Sequence, residues 1–594
     1  MNSRKYGAVG ACSVALTLLT FGPNVTNLFA APQETGLFDK SSVEVENAPT
    51  RCASLIQQMA GKFSDASTHL VGATLLSRGP LQVGRGSPGA PPLAVPEHCD
   101  VTGVSQERAG RYGQRYAIRF HIRLPTRWNG RFLFQGGGGS NGDIGNALGP
   151  YSRAAKPALL QGFAVVSQDS GHSNELNNDP NRGGILAFGF DERARANYGY
   201  ASLPVVADAA KAIIREFYGA PPRHSYFVGC SKGGQEGLAF AERYPLEFEG
   251  IAAIAPGLSL PRAAVEQAWD VQTLASAASA SAETVTLAQL AAGFSDSALT
   301  LVRDAVLAAC DADDGAKDGI VGDFTRCSTE RVRPELLARS CSALKTADCL
   351  SASQITALVR LMGGARDRHN TKLYSTWPWD TGIASPDWRA WKLGSVDGRV
   401  PNRAVTLGGA SLPSLFTTPP TVVSSNPRDL LAFLLHFDFD RDAPKIYATS
   451  AEFAHSAWAD DSARSADLRK FNSRKGKLIV PQGVSDPVFS INDTIAWWRE
   501  VNERNGGHAN SFVRVFPVPG MNHCDGGPST DRFDVLAALM RWVEQGRAPD
   551  FIPAAAGPAS PWPGRTRPLC PYPAVARYKG SGDVENASSF KCRP

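Results

Sequence analysis

Two residues that could perform hydrolytic chemistry each have a cysteine as neighbour. Ser231 lies in Gly229-Cys230-Ser231-Lys232-Gly233, a G-x-S-x-G pattern, and His523 lies in Gly520-Met521-Asn522-His523-Cys524. A serine hydroxyl is a weak nucleophile until a base takes its proton. A Cys230–Cys524 disulfide would fasten hydroxyl and imidazole side by side, although they are far apart in the chain. The apolar run His224–Val228 precedes Ser231, and the helical pattern Gly234–Arg243 follows it. Strand, turn and helix is the context that a nucleophile elbow requires. Its glycines make room for a strained backbone.

A carboxylate falls between serine and histidine in this chain order. Asp486, in Gly483-Val484-Ser485-Asp486-Pro487, follows the apolar run Lys477–Val480. It is placed to hold the imidazole tautomer. Asp525, beside Cys524, is the alternative. An oxyanion needs two backbone N–H donors. Lys232 offers one, and the glycine-rich stretch Gln135–Gly142, after the run Arg131–Phe134, offers the other. That stretch lacks the Lys-Ser/Thr of a phosphate loop and the spacing of a dinucleotide fingerprint.

A second cluster is acidic. Asp311, Asp313, Asp314 and Asp318 crowd into a short loop after Cys310. Hard oxygen donors suit Ca2+, though the spacing is not that of an EF-hand. A solvated acidic turn is the alternative.

These groups need a scaffold. The 594-residue chain is long enough for one large domain with an insertion. Its 61 basic and 56 acidic residues leave a formal charge of +5. That balance, without a dense basic run, gives no support for nucleic-acid binding. Apolar runs at Tyr116–Leu124, Arg131–Phe134, Phe163–Val166, His224–Val228 and Ile251–Ile254 alternate with helical patterns. They predict an α/β fold with a parallel sheet and helices on both faces. The texture changes over 258–465, which is Ala-rich, acidic and then Trp-rich. The sheet pattern resumes at Lys477–Val480 and Phe512–Val518. We therefore expect hydrolase segments at 32–257 and 466–594, with a lid domain at 258–465.

Arg4, Lys5 and the apolar stretch Ala8–Phe21 read as an export signal ending near residue 31. A lipoprotein site at Cys12 fits less well, because the apolar run follows the cysteine. Ten cysteines remain after the signal, an even number suited to five disulfides in an oxidising compartment. Sequence proximity favours Cys310–Cys327, Cys341–Cys349 and Cys570–Cys592. Cys52–Cys99 and Cys230–Cys524 complete the set; free buried thiols are the alternative.

The elbow, the segment Gly520-Met-Asn-His-Cys-Asp-Gly-Gly527 and the loop Asp311…Asp314…Asp318-Gly-Ile320 resemble the tannase and feruloyl esterase family. The segments Arg567–Pro573 and Ala576–Asp583 extend the likeness towards the C-terminus. The resemblance implies an α/β-hydrolase fold with a large inserted lid, and a Ser231–Asp486–His523 triad. It implies oxyanion donors at Lys232 and Gly139. It implies a structural Ca2+ held by Asp311, Asp314 and Asp318 with the carbonyls of Ala316 and Ile320. For the substrate it implies a small aromatic ester, with a terephthalate monoester first and feruloyl or gallate esters as alternatives. Arg403 would clamp a free carboxylate, with Arg399 as rival, and Trp391 would pack on the ring. Gly138, Ser411, Phe416 and Phe489 match other pocket positions. Leu407, Gly408 and Gln482 stand where the family member with a terephthalate substrate has Phe, Ser and His. A secreted or periplasmic monomer, without stable membrane association, is expected. A non-catalytic aromatic-ligand binding protein is the reading from another class.

Overall fold

The computed structural model describes residues 42–81, 93–149, 155–278, 284–342 and 348–594. The expected export segment at 1–31 lies outside the described residues. Nine strands form the main sheet: β1 (His69–Leu76), β2 (His98–Ala109), β3 (Arg115–Pro125), β4 (Arg131–Gln135), β5 (Ala164–Gln168), β6 (His224–Cys230), β7 (Gly250–Ile254), β8 (Lys477–Gly483) and β9 (Val513–Val518). Their spatial order is β9-β8-β7-β6-β4-β5-β3-β2-β1.

The sheet corrects the expectation of an all-parallel arrangement. Strands β9 through β5 run parallel, whereas β3, β2 and β1 pair antiparallel at one edge. The cause is the connections. A parallel neighbour needs a long crossover, whereas a tight turn returns the chain antiparallel. Only Gly110–Gln114 separate β2 from β3, and Gly110 N–H closes that turn on Gln114 O at 2.8 Å.

The parallel strands are buried on both faces, and side chains alternate between two cores. Phe132, Phe134 and Phe227 enter one core, while Leu133, Tyr226 and Val228 enter the other. Helix α1 (Ser202–Tyr218) ends at Gly219, whose φ of 74° is the left-handed stop that suits glycine. Helix α2 (Lys232–Arg243) starts at the elbow, and α4 (Val535–Gln545) covers the second core, after the His523 loop.

Between β7 and β8 none of the described residues adds a strand to the sheet. This insertion is mainly helical and begins with α3 (Leu260–Ala278). Residues 42–594 cohere as one unit, so the insertion is docked on the sheet domain. All five expected disulfides are formed. Among the described residues no helix is long and apolar enough to cross a membrane.

Candidate active site

Ser231 sits at the tip of β6 with φ 64° and ψ −120°. A non-glycine residue holds such a conformation only where its surroundings enforce it. The enforcement is visible in the flanking glycines. A Cβ on Gly229 would lie 2.6 Å from the Gly233 carbonyl, and one on Gly233 would lie 2.6 Å from the Gly137 oxygen. The turn is thus pressed flat against the glycine-rich loop, and this explains the spacing of the G-x-S-x-G pattern.

His523 lies in the loop after β9, and Asp486 in the loop after β8. The Cys230–Cys524 disulfide, with Cα atoms 6.1 Å apart, ties the elbow to the His523 loop. His523 Nδ1 is 2.9 Å from Asp486 Oδ2. The other carboxylate oxygen of Asp486 accepts N–H bonds from Val488 (2.8 Å) and Phe489 (3.1 Å). His523 Nε2 is buried and makes no hydrogen bond in this state. It is the imidazole's remaining basic site, and such contacts commonly tighten only with substrate. Burial disfavours charge on His523, but Asp486 and then Asp387 outweigh it, while Arg403 opposes them; the net shift is upward from the ordinary histidine value. The imidazole Nδ1 pairs with Asp486, whereas Asp525, the alternative acid, lines a cavity that also reaches Ser231.

The sequence reading missed what locks these loops. Asp380, from the insertion, accepts a bond from Gly520 N–H at 2.7 Å and from Ser485 Oγ at 2.8 Å. It therefore grips the histidine loop and the acid loop together. Asn522 donates to Ser485 O at 3.1 Å and Gly382 O at 3.3 Å. Neither residue has a local signature, because each role depends on partners remote in sequence.

One cleft contains Ser231 with Gly139 and Lys232, the proposed oxyanion donors, and Trp391, Leu407, Ser411, Phe416 and Phe489. Trp391 and Phe489 meet the His523 ring edge-on, at 5.8 and 5.4 Å between centroids. The free space in this cleft is about 50 Å³, and Ser231 also lines an adjoining cavity of about 550 Å³. Gln267, on α3, also lines this cleft and was not expected. Its Oε1 is buried without a partner, and a Cβ at Gly408 would lie 1.7 Å from it.

Three expected pocket residues do not line this smaller cleft. Gln482 is fully buried, donating to Phe489 O at 2.8 Å and accepting from Thr494 Oγ1 at 2.5 Å, so its amide is spent inside the fold. Strand β8 is buried along Leu478–Gly483, which leaves Gln482 only partners inside the fold. Gly138 lines the adjoining cavity of about 550 Å³ together with Ser231, Cys230, Cys524 and Asp525, so it still faces the nucleophile. Arg403 stands at the rim, 47% exposed, 3.1 Å from Asp387 and 5.5 Å above the Trp391 ring. Its rival Arg399 is 87% exposed and pairs with Asp397.

The family model for tannase and feruloyl esterase matches residues 99–593. The chain belongs to the tannase and feruloyl esterase family. It is 42% identical over 519 residues to the mono(2-hydroxyethyl) terephthalate hydrolase of Piscinibacter sakaiensis, covering 84% of this chain and 85% of that one. The crystal structure of feruloyl esterase B from Aspergillus oryzae superposes with a TM-score of 0.69 at 22% identity, over 92% of this chain and 100% of that one. Tannin acyl hydrolase from Aspergillus niger gives 0.63 at 19%, over 93% and 96%. Those two similarities establish the α/β-hydrolase fold alone; the family match and the 42% identity make the chain a carboxylic ester hydrolase.

In this tannase-family esterase the acidic loop lies against the C-terminal strands. Asp311 accepts N–H bonds from Gly319 (3.1 Å) and Asp318 (3.3 Å), and Asp314 accepts one from Ala316 (3.0 Å). Asp318 pairs with Arg567, and its carbonyl takes Arg565 at 2.6 Å. Burial, and then the neighbouring Asp318 and Asp311, push Asp314 up to about 7. The three carboxylates therefore load one another with charge that Arg567 only partly offsets. Their donor chemistry fits a hard cation. Among the described residues, however, no group of three such side chains is already gathered to hold one.

Proposed function

We propose that this esterase hydrolyses an aromatic carboxylic ester with an acyl-enzyme on Ser231, and that mono(2-hydroxyethyl) terephthalate is its substrate. The Ser231 oxygen attacks the ester carbonyl while His523 Nε2 takes the hydroxyl proton. The N–H groups of Lys232 and Gly139 receive the negative oxygen. His523 then gives the proton to the leaving alcohol, ethylene glycol. Water, activated by the same imidazole, attacks the acyl-serine and releases terephthalate. Asp486 keeps the Nδ1 proton in place and balances the imidazolium.

The observation that carries the reading is the Asp486–His523 pair joined to the elbow by the Cys230–Cys524 bridge, beside a cleft walled by Trp391, Phe416 and Phe489. Arg403, seated over the Trp391 wall, is suited to hold the free carboxylate bidentately once it leaves Asp387. The 42% identity to the terephthalate monoester hydrolase supports the same substrate. A second reading, a feruloyl or gallate ester, is favoured by Gln267. Its unpartnered amide oxygen would accept a phenolic O–H, which terephthalate does not offer. Turnover of the terephthalate monoester, methyl ferulate and methyl gallate by purified protein separates the two. We expect the monoester to lead in kcat/KM, with Arg403→Ala harming it selectively. A faster ferulate or gallate, or an equal loss on uncharged esters, refutes the substrate assignment.

The same reading includes a structural Ca2+ at Asp311, Asp314 and Asp318, with the carbonyls of Ala316 and Ile320, and release of Asp318 from Arg567 on binding. The five disulfides support a secreted or periplasmic home.

A further inference from the structure

Lys232 contributes more than a backbone donor beside the nucleophile. Its side chain is buried behind the cleft wall that Tyr198 helps to form, and the residue is 1% exposed. The ammonium donates to Gln235 Oε1 at 2.7 Å and Glu236 Oε1 at 3.3 Å, and lies 4.5 Å above the Tyr198 ring. Each of those last two partners holds the opposite half of the oxyanion hole. Glu236, fully buried, accepts the Gly137 N–H at 2.9 Å and the Asn141 side-chain amide at 2.7 Å. The Tyr198 hydroxyl donates to Gly139 O at 3.3 Å. The loop that offers the Gly139 N–H is thus pinned at 137, 139 and 141, and all three pins lead back to the Lys232 ammonium.

We propose that Glu236 and Tyr198, bridged by the Lys232 side chain, are positioning residues that join the two oxyanion donors into one rigid unit. An oxyanion donor acts only if it is already aimed at where the charge develops. Gly137–Gly139 could not hold that aim alone, because glycine backbone is free to rotate. The glycines admit the substrate, and the buried carboxylate and phenol supply the stiffness they lack. This inference rests on the esterase reading above.

The test uses the full chain with Glu236→Gln and Tyr198→Phe, beside wild type and Ser231→Ala. Gln keeps its carbonyl oxygen where Asn141 and Lys232 converge and so sets its NH2 against the Gly137 N–H, which breaks the clamp on the loop with little change in volume. On an ester that wild type turns over, Glu236→Gln is expected to lower kcat by about 10- to 100-fold, with KM within threefold. The inhibition constant of phenylboronic acid, which forms a tetrahedral adduct on an active serine, is expected to rise by the same factor. The inhibition constant of the product acid, which needs no oxyanion hole, stays unchanged. Tyr198→Phe shows the same pattern at about 3- to 10-fold, the worth of one hydrogen bond, and carries the test if Glu236→Gln does not fold. Wild-type kcat and boronate affinity in the variants overturn the proposal. So does an equal loss of boronate and product binding, which marks general damage. Absence of turnover in wild type sinks the esterase reading and this inference with it, whereas an active wild type with unaffected variants sinks the inference alone.

Discussion

Replacing Asp486 by Asn tests the charge relation at the centre of the site without changing its shape. Asp486 Oδ1 accepts two backbone N–H groups, Val488 at 2.8 Å and Phe489 at 3.1 Å, so an Asn side chain must keep its carbonyl oxygen there. The NH2 group then occupies the place of Oδ2, 2.9 Å from His523 Nδ1. Two donors cannot face each other, so Nδ1 becomes the acceptor and the ring proton moves to Nε2. The nitrogen that should take the Ser231 proton is then already protonated. A wrong tautomer of this kind costs about 10⁴-fold in kcat, or about 5 kcal/mol of barrier. Steady-state hydrolysis of an aryl ester measures kcat and KM, and thermal unfolding checks that the fold is kept. We expect KM within a few-fold of wild type and Tm nearly unchanged. A variant within tenfold of wild-type kcat would refute the tautomer argument and Asp486 as the acid.

Three further outcomes follow from the geometry. Asp387 raises the His523 pKa, and the base must be neutral to work; Asp387→Asn is therefore expected to move the acid limb of the kcat/KM profile to lower pH, and an unmoved limb contradicts the coupling. Gly408→Ser puts a Cβ into the space of Gln267 Oε1 and so displaces that amide; we expect KM for methyl ferulate to rise about 3- to 10-fold with kcat nearly constant, and an unchanged KM removes Gln267 from substrate contact. Millimolar Ca2+ added to chelator-treated protein is expected to raise Tm by several degrees, because binding only the folded state stabilises it; no shift dismisses the ion.

The elbow was legible because its chemistry is local. Two glycines, a serine and a preceding apolar strand are sufficient to specify a turn that nothing larger can occupy. The Cys230–Cys524 bridge beside Ser231 and His523 was legible for a different reason: an even cysteine set with near neighbours paired off leaves one long-range pair. The antiparallel edge was not, since β1 and β2 carry mixed burial and the reversal from β2 into β3 depends on turn length more than on composition. Gln482 reads as a pocket residue by its place next to the acid loop, yet Phe489 O and Thr494 Oγ1, both later in the chain, take up its amide inside a buried strand. Arg403 shows the limit in the other direction. Its charge was legible, but not the nearby Asp387 that occupies it. Asp380 and Glu236 hold loops remote from their own positions in the chain, so no spacing within the sequence announces them.

The account stands on Ser231 being the nucleophile that His523 activates. Intact-mass analysis after treatment with a serine-directed fluorophosphonate tests this most directly. We predict one adduct per chain, mapped to the peptide carrying Ser231 and abolished in both Ser231→Ala and His523→Ala. An adduct that persists without Ser231, or an active wild type that takes up no label, would contradict it.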